Sequence, residues 1–212
     1  MLVKHQMQIN TIKGGTDFMK KVIAIMLTLA TLSVMGGWTA DQAEDTAGDF
    51  NLIKYLEGHE IQTPEEFQDV LETYTDYPVP DYSSENLSYF DIEIDYESNL
   101  VYVTTINTNL TRTDTSNSAS RDYYSSIGAL IFSVSISGTF RYSYYSCTVL
   151  SKSGSYTKPS YSTWNSTPSI TSGNNSATEA YARISGTAYS DGSSYSYSLT
   201  LACDNYGNFR SY

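Results

Sequence analysis

The stretch ATEAYARISGTAYSDGSSYSYSLTLACDNYG, Ala177 to Gly207, decides the fold. Ala180, Ala182 and Ile184 alternate with Glu179, Tyr181, Arg183 and Ser185. A period of two marks a strand with one face buried. Ser190-Asp191-Gly192-Ser193 follows, and Asp-Gly between two alternating runs signals a tight hairpin. The return strand puts Tyr195, Tyr197, Leu199, Leu201 and Cys203 on a core face. Ser194, Ser196, Ser198, Thr200 and Ala202 fall on the other face, expected to be solvated. Asp204 to Asn208 then ends the strand as a turn.

Cys203 sits on the core face, and Cys147 is the only other cysteine. Two cysteines in an exported chain are expected as one disulfide rather than a metal site. The bridge would close a 57-residue loop, worth on the order of 4 kcal/mol in the chain-entropy model.

Upstream of the hairpin the same periodicity recurs. Leu130, Phe132, Val134, Ile136, Phe140, Tyr142 and Tyr144 share one parity with Gly138 among them, where a bulge or close approach is expected. Cys147 and Val149 continue on the opposite parity, so the register changes near Tyr145. Phe90, Ile92, Ile94 and Tyr96 alternate with Asp91, Glu93, Asp95 and Glu97, Ser98-Asn99 turns, and Leu100–Ile106 returns. Residues 107–122, rich in Thr, Ser and Asn, read as a long loop or an excursion, and 152–175 as a Ser/Thr/Pro/Gly-rich connection. The expectation is a mainly β protein: an antiparallel β-sandwich of about six or seven strands over 86–212, with one or two short N-terminal helices and one disulfide.

The N-terminal part is of another kind. Thr63-Pro64-Glu65-Glu66 is a capping box with Pro at the first helical position, followed by the apolar stripe Phe67, Val70, Leu71 and Tyr74. A shorter helix is expected from Asp49, as N-cap, to Gly58. Residues 38–85 are an acidic helical segment and linker. Val22–Met35 is an apolar run behind Lys20 and Lys21 with small residues at Gly36, Gly37 and Ala40, so 19–37 reads as a signal peptide. Lys13-Gly14-Gly15 can be encoded by a sequence resembling a bacterial ribosome-binding site. Residues 1–18 are therefore expected to be a non-translated leader, and the mature product to be secreted and extracellular.

Charge narrows the partners. Residues 41–100 hold 17 Asp/Glu against one lysine, and residues 101–212 hold 5 Asp/Glu against 7 Lys/Arg. An acidic first part beside a near-neutral, Tyr/Ser-rich second part argues against nucleic acid, which calls for a basic face. It argues equally against adsorption to anionic lipid. No membrane insertion is expected after signal cleavage, and no cofactor.

Catalytic signals are sparse. Asp91, Glu93, Asp95 and Glu97 place four carboxylates on one strand face, at about 6.8 Å between alternate residues. They could converge on Ca²⁺ or loosely suit a glycosidase pair. The plainer reading is a solvated outer face that opposes edge-to-edge association. His59 is the one histidine after residue 18, and no Gly-x-Ser-x-Gly elbow accompanies it. No catalytic residue is assigned.

Tyrosine is the unusual component, with 20 in the chain, 13 of them from Tyr123 onward. Tyr156, Tyr161, Trp164 and Tyr206 fall in polar, loop-like stretches and are the candidate ligand contacts, because exposed rings stack on sugars or grip a protein partner. The order Cys147…Trp164…Cys203 resembles that of immunoglobulin domains and implies two packed sheets, although Leu201 stands where their tyrosine would be. The functional expectation is a non-catalytic extracellular binding module for a glycan or a protein. A carboxylate-dependent glycan hydrolase and a pore-former, whose alternating strands could re-pair as a barrel, are the alternatives.

Overall fold

The structure, a computed structural model, describes residues 50–83, 86–109 and 114–212. The leader expected over 1–18, the signal peptide over 19–37 and the first residues of the acidic segment, 38–49, lie outside them.

The hairpin forms where its pattern places it. Strands β7 (Glu179–Ser190) and β8 (Ser193–Asp204) pair antiparallel from Glu179↔Asp204 to Ser190↔Ser193. Asp191 and Gly192 take φ 44° and 84°. Positive φ at both central residues is the two-residue loop whose twist suits flanking strands. Ala180, Ala182, Ile184, Tyr197, Leu199, Leu201 and Cys203 are all buried. Ser194, Ser196 and Ser198 are exposed. Thr200 and Ala202, expected to be solvated, are buried instead. Arg183 Nε donates to Thr200 Oγ1 at 2.9 Å, and the Thr200 backbone exchanges hydrogen bonds with Tyr212. The C-terminal strand β9 (Phe209–Ser211) folds back along β8 and causes this cover.

Nine strands, rather than six or seven, form two antiparallel sheets among the described residues. The first has the order β1 (Leu87–Asp95), β2 (Leu100–Asn109), β3 (Asp114–Ser125), β4 (Leu130–Ser143), β5 (Ser146–Thr157). The second runs β6 (Ser169–Ser176), β7, β8, β9. Two additional strands, β3 and β6, come from the Ser/Thr-rich stretches read as loops, and β9 follows the C-terminal turn. In β3, Thr115, Asn117 and Ala119 face the interior, and Ser116 shares a 2.8 Å hydrogen bond with Thr139 of β4. Thr and Ser suit a pleated surface when a cross-strand hydroxyl pairs with them, a property that composition alone does not reveal.

Strands are consecutive within each sheet, and the two sheets that the Cys-Trp-Cys order implied are present. Trp164 packs beside Phe132, 6.1 Å between ring centres. One core joins the sheets: Tyr102, Ile106, Tyr123, Phe132, Val134, Ile136 and Phe140 from the first meet Ala182, Ile184, Tyr197, Leu199 and Leu201 from the second. Gly138 is the close-approach point expected of it, since a Cβ there would lie 2.5 Å from the Phe140 ring. The register shift falls one step later, at Thr139/Phe140.

The expected disulfide is not formed. Cys147 of β5 and Cys203 of β8 do meet between the sheets, but 3.7 Å apart and unbonded, as two buried free thiols. A disulfide needs about 2.05 Å between sulfurs. Burial pushes both thiols up, so neither is a ready thiolate nucleophile.

The helices cover the other face of the first sheet on its β1–β2 side. Helix α1 (Leu52–Gly58) is capped by Asn51, whose side chain accepts from Lys54 N, rather than by Asp49. Helix α2 (Pro64–Tyr74) has the expected capping box: Thr63 Oγ1 accepts from Glu66 N at 3.2 Å, and Glu66 Oε2 accepts from Thr63 N at 3.3 Å. Phe67, Val70 and Leu71 pack with Leu52 and Ile53 on Phe90, Val101, Val103 and Tyr124. The segment after α2 is pinned by Tyr82, whose hydroxyl donates to Asp122 Oδ2 at 2.7 Å and lies 2.5 Å from the Tyr124 hydroxyl.

Two expectations follow from this layer. Phe67→Ala, at a fully buried ring between helix and sheet, should cost about 3–5 kcal/mol in urea unfolding; a loss under about 1 kcal/mol would show that the helices are not part of the cooperative core. Burial raises the Asp122 carboxyl, opposed by hydrogen bonds from Ser133 and Tyr82. With its native pKa raised, Asp122 contributes most below its unfolded value, and that contribution is lost as pH rises through the native one. The stability of Asp122→Asn relative to wild type should therefore increase from pH 4 to pH 7, and a pH-independent difference would contradict the assignment.

Candidate functional site: an exposed tyrosine platform

Two turns meet at one end of the sheets. The first is the β4–β5 turn at Tyr144-Tyr145, which accounts for the expected register change. The second is the β8–β9 turn at Asn205-Tyr206-Gly207. Tyr144, Tyr145 and Tyr206 are 69, 79 and 68 % exposed. Their rings form one group: Tyr144 lies 4.8 Å from Tyr145 and 6.5 Å from Tyr206, each pair close to perpendicular. Such edge-to-face contacts are favourable for aromatic pairs and fix ring orientation.

The backbone beneath them is tied down. Asp204 accepts from Tyr206 N, Asn208 N and Asn208 Nδ2 at 2.8–2.9 Å. Those bonds hold the Asp204 carboxyl below its ordinary range despite partial desolvation. Asn205 Nδ2 donates to Tyr144 O at 2.7 Å, joining one turn to the other. Gly207 takes φ +81° and leaves room for Tyr142, since a Cβ there would stand 2.6 Å from that ring. The platform is thus preorganised by side-chain hydrogen bonds and one obligatory glycine.

Of the four aromatic residues singled out from the sequence, only Tyr206 belongs to this group. Tyr156 lies on β5 rather than in a loop, stacked 5.3 Å from Phe132 and 6.1 Å from Tyr197. Burial pushes its hydroxyl up to about 12. Trp164 is half-buried against the same Phe132. Tyr161 pairs with Tyr77 of the linker at 5.3 Å. Tyr144 and Tyr145 were legible only as a doublet at a register break. An aromatic pair filling a two-residue turn, where Gly, Asn and Asp are the usual occupants, was the available signal.

The carboxylates do not form the solvated outer face expected of them. Phe90, on the opposite parity, lies under the helices, so Asp91, Glu93 and Asp95 point to the second sheet's side on β1, which among the described residues is the edge strand of its sheet. Tyr89 donates to Asp91 at 3.0 Å, and Tyr195 of β8 donates to Asp95 at 3.3 Å. Glu93 is hydrogen-bonded to the Tyr102 hydroxyl. Desolvation raises the Asp91 carboxyl. Glu97 lies in the following turn, its N–H bonded to Asp95. Among the described residues no group of three His, Cys, Asp or Glu is placed to hold a metal, and no helix is long and apolar enough to cross a membrane. His59 stacks on Tyr55 at 4.2 Å, with its Nδ1 3.0 Å from Tyr55 O. No family model, curated protein or solved structure matches the chain.

Gly207→Ala should destabilise the protein by about 1–2 kcal/mol from the left-handed backbone alone, and should displace Tyr142. Thermal unfolding measures the first effect. An unchanged melting temperature would remove Gly207 from its role as organiser of the platform.

Proposed function

We propose that the protein is a secreted, non-catalytic β-sandwich module that binds a glycan on the Tyr144–Tyr145–Tyr206 platform. The observation that carries this reading is three tyrosine rings, each more than two-thirds exposed, grouped on two hydrogen-bonded turns. Ring faces left in water are apolar surface without cover. Tyrosine supplies a wide, rigid contact with an apolar face and a polar tip at little cost in rotamer entropy, which suits the apolar faces and hydroxyl rims of sugar rings. Export is read from the charged and apolar pattern of residues 19–37.

The test is retention on a panel of insoluble glycans, including cell wall. Wild-type protein should be retained, and the Tyr144→Ala/Tyr145→Ala/Tyr206→Ala variant should lose at least tenfold in affinity, as expected when a central aromatic cluster of about 2 kcal/mol or more is removed. Trp164→Ala should lower thermal stability rather than retention. Absence of retention, or full retention by the folded triple variant, would overturn the reading.

A further inference from the structure

Strand β1 has a second surface that the tyrosine platform does not use. It is the first strand of its sheet, and among the described residues it pairs on one side only, with β2. Beside it lies a groove of about 390 Å³ between the end of α1 and the outer face of β1. Leu56, Ile61, Ile92 and Ile94 supply its apolar lining, and exposed Glu57 and Glu60 its rim. The opposite face of the same strand carries Asp91, Glu93 and Asp95. Their nearest cationic neighbour is Arg121, which stands 4.8 Å over the Tyr102 ring and donates to Thr104 Oγ1 and Ser198 O. Among the described residues it forms no ion pair with them.

We propose that this edge receives an extended basic–apolar polypeptide segment as an additional strand. A strand added to β1 would lie about 4.8 Å away, with side chains alternating between the two faces. Directly opposed side chains are the unit of sheet stabilisation. Apolar residues of the incoming strand would enter the groove against Ile92 and Ile94. Lysine or arginine at alternate positions would oppose Asp91, Glu93 and Asp95, while Glu57 and Glu60 attract the segment from the rim. The same carboxylates repel a second copy of β1, whose own alternation would set acid against acid. An acidic edge thus blocks self-pairing while selecting a partner of opposite charge.

The test uses the full chain and a fluorescein-labelled octapeptide alternating lysine with valine or isoleucine, followed by anisotropy. A counterpart with glutamate for lysine is the control. The lysine peptide should bind saturably and the glutamate peptide should not. Affinity should fall about tenfold or more in Glu57→Lys/Glu60→Lys, which changes only exposed side chains, and fall with added salt. Hydrogen exchange should show β1 amides protected on binding, and the Tyr144/Tyr145/Tyr206 alanine variant should bind the peptide as wild type does. Failure of the lysine peptide to saturate, undiminished affinity in the charge-reversed variant, or unchanged exchange in β1 would each overturn the proposal.

Discussion

The five-stranded sheet is apolar on both faces along β1 and β2, and the rest of the chain is arranged to cover that part twice. Strand β2 shows the constraint most directly. Val101 and Val103 lie under the helices, while Tyr102 and Ile106 lie against the second sheet, and all four are buried. A sheet of that kind is stable only as the middle of three layers. The hairpin β7–β8 supplies one cover and α1 with α2 the other. The acidic helical segment is therefore a structural layer, since removing it would return Phe90, Val101, Val103 and Tyr124 to water.

Tyrosine takes three different roles within this arrangement. Tyr102, Tyr123 and Tyr197 fill the inter-sheet core, where a large ring with a polar tip can satisfy both burial and hydrogen bonding. Tyr82 and Tyr124 form a polar clasp with Asp122 beneath the helical layer. Tyr144, Tyr145 and Tyr206 have no core to fill, and lie on turns held by Asp204 and Asn205. This last group is the most exposed of the tyrosines, ahead of Tyr189, Tyr212, Tyr96 and Tyr161. The abundance of tyrosine thus reflects packing for the most part, and exposed turns at one end.

Acidic residues divide in a similar way. Glu66 caps α2, Asp204 organises a turn, and Asp114 pairs with Arg141 at 2.9 Å. Asp91, Glu93 and Asp95 instead gather along the edge of β1, among tyrosine hydroxyls and away from any ion pair among the described residues. Inward charge at a sheet margin is a general device against edge-to-edge pairing.

The sequence by itself determined what depends on neighbours along the chain. The β7–β8 hairpin, the Thr63–Glu66 capping box, the Ser98-Asn99 turn and the buried parity of β4 all follow from local period and turn chemistry. The tertiary structure decided what depends on contacts between distant segments. Strand β3 forms because β2 and β4 offer its hydroxyls and backbone partners. Asp91 faces inward because the helices claim the other side of β1. Cys147 and Cys203 come close without bonding, since pairing depends on atomic separation rather than on cysteine count. Tyr144, Tyr145 and Tyr206 become one surface only when two turns some sixty residues apart meet at the same end of the sheets. Periodicity reports which face a residue belongs to; what covers that face is set by packing across the whole chain.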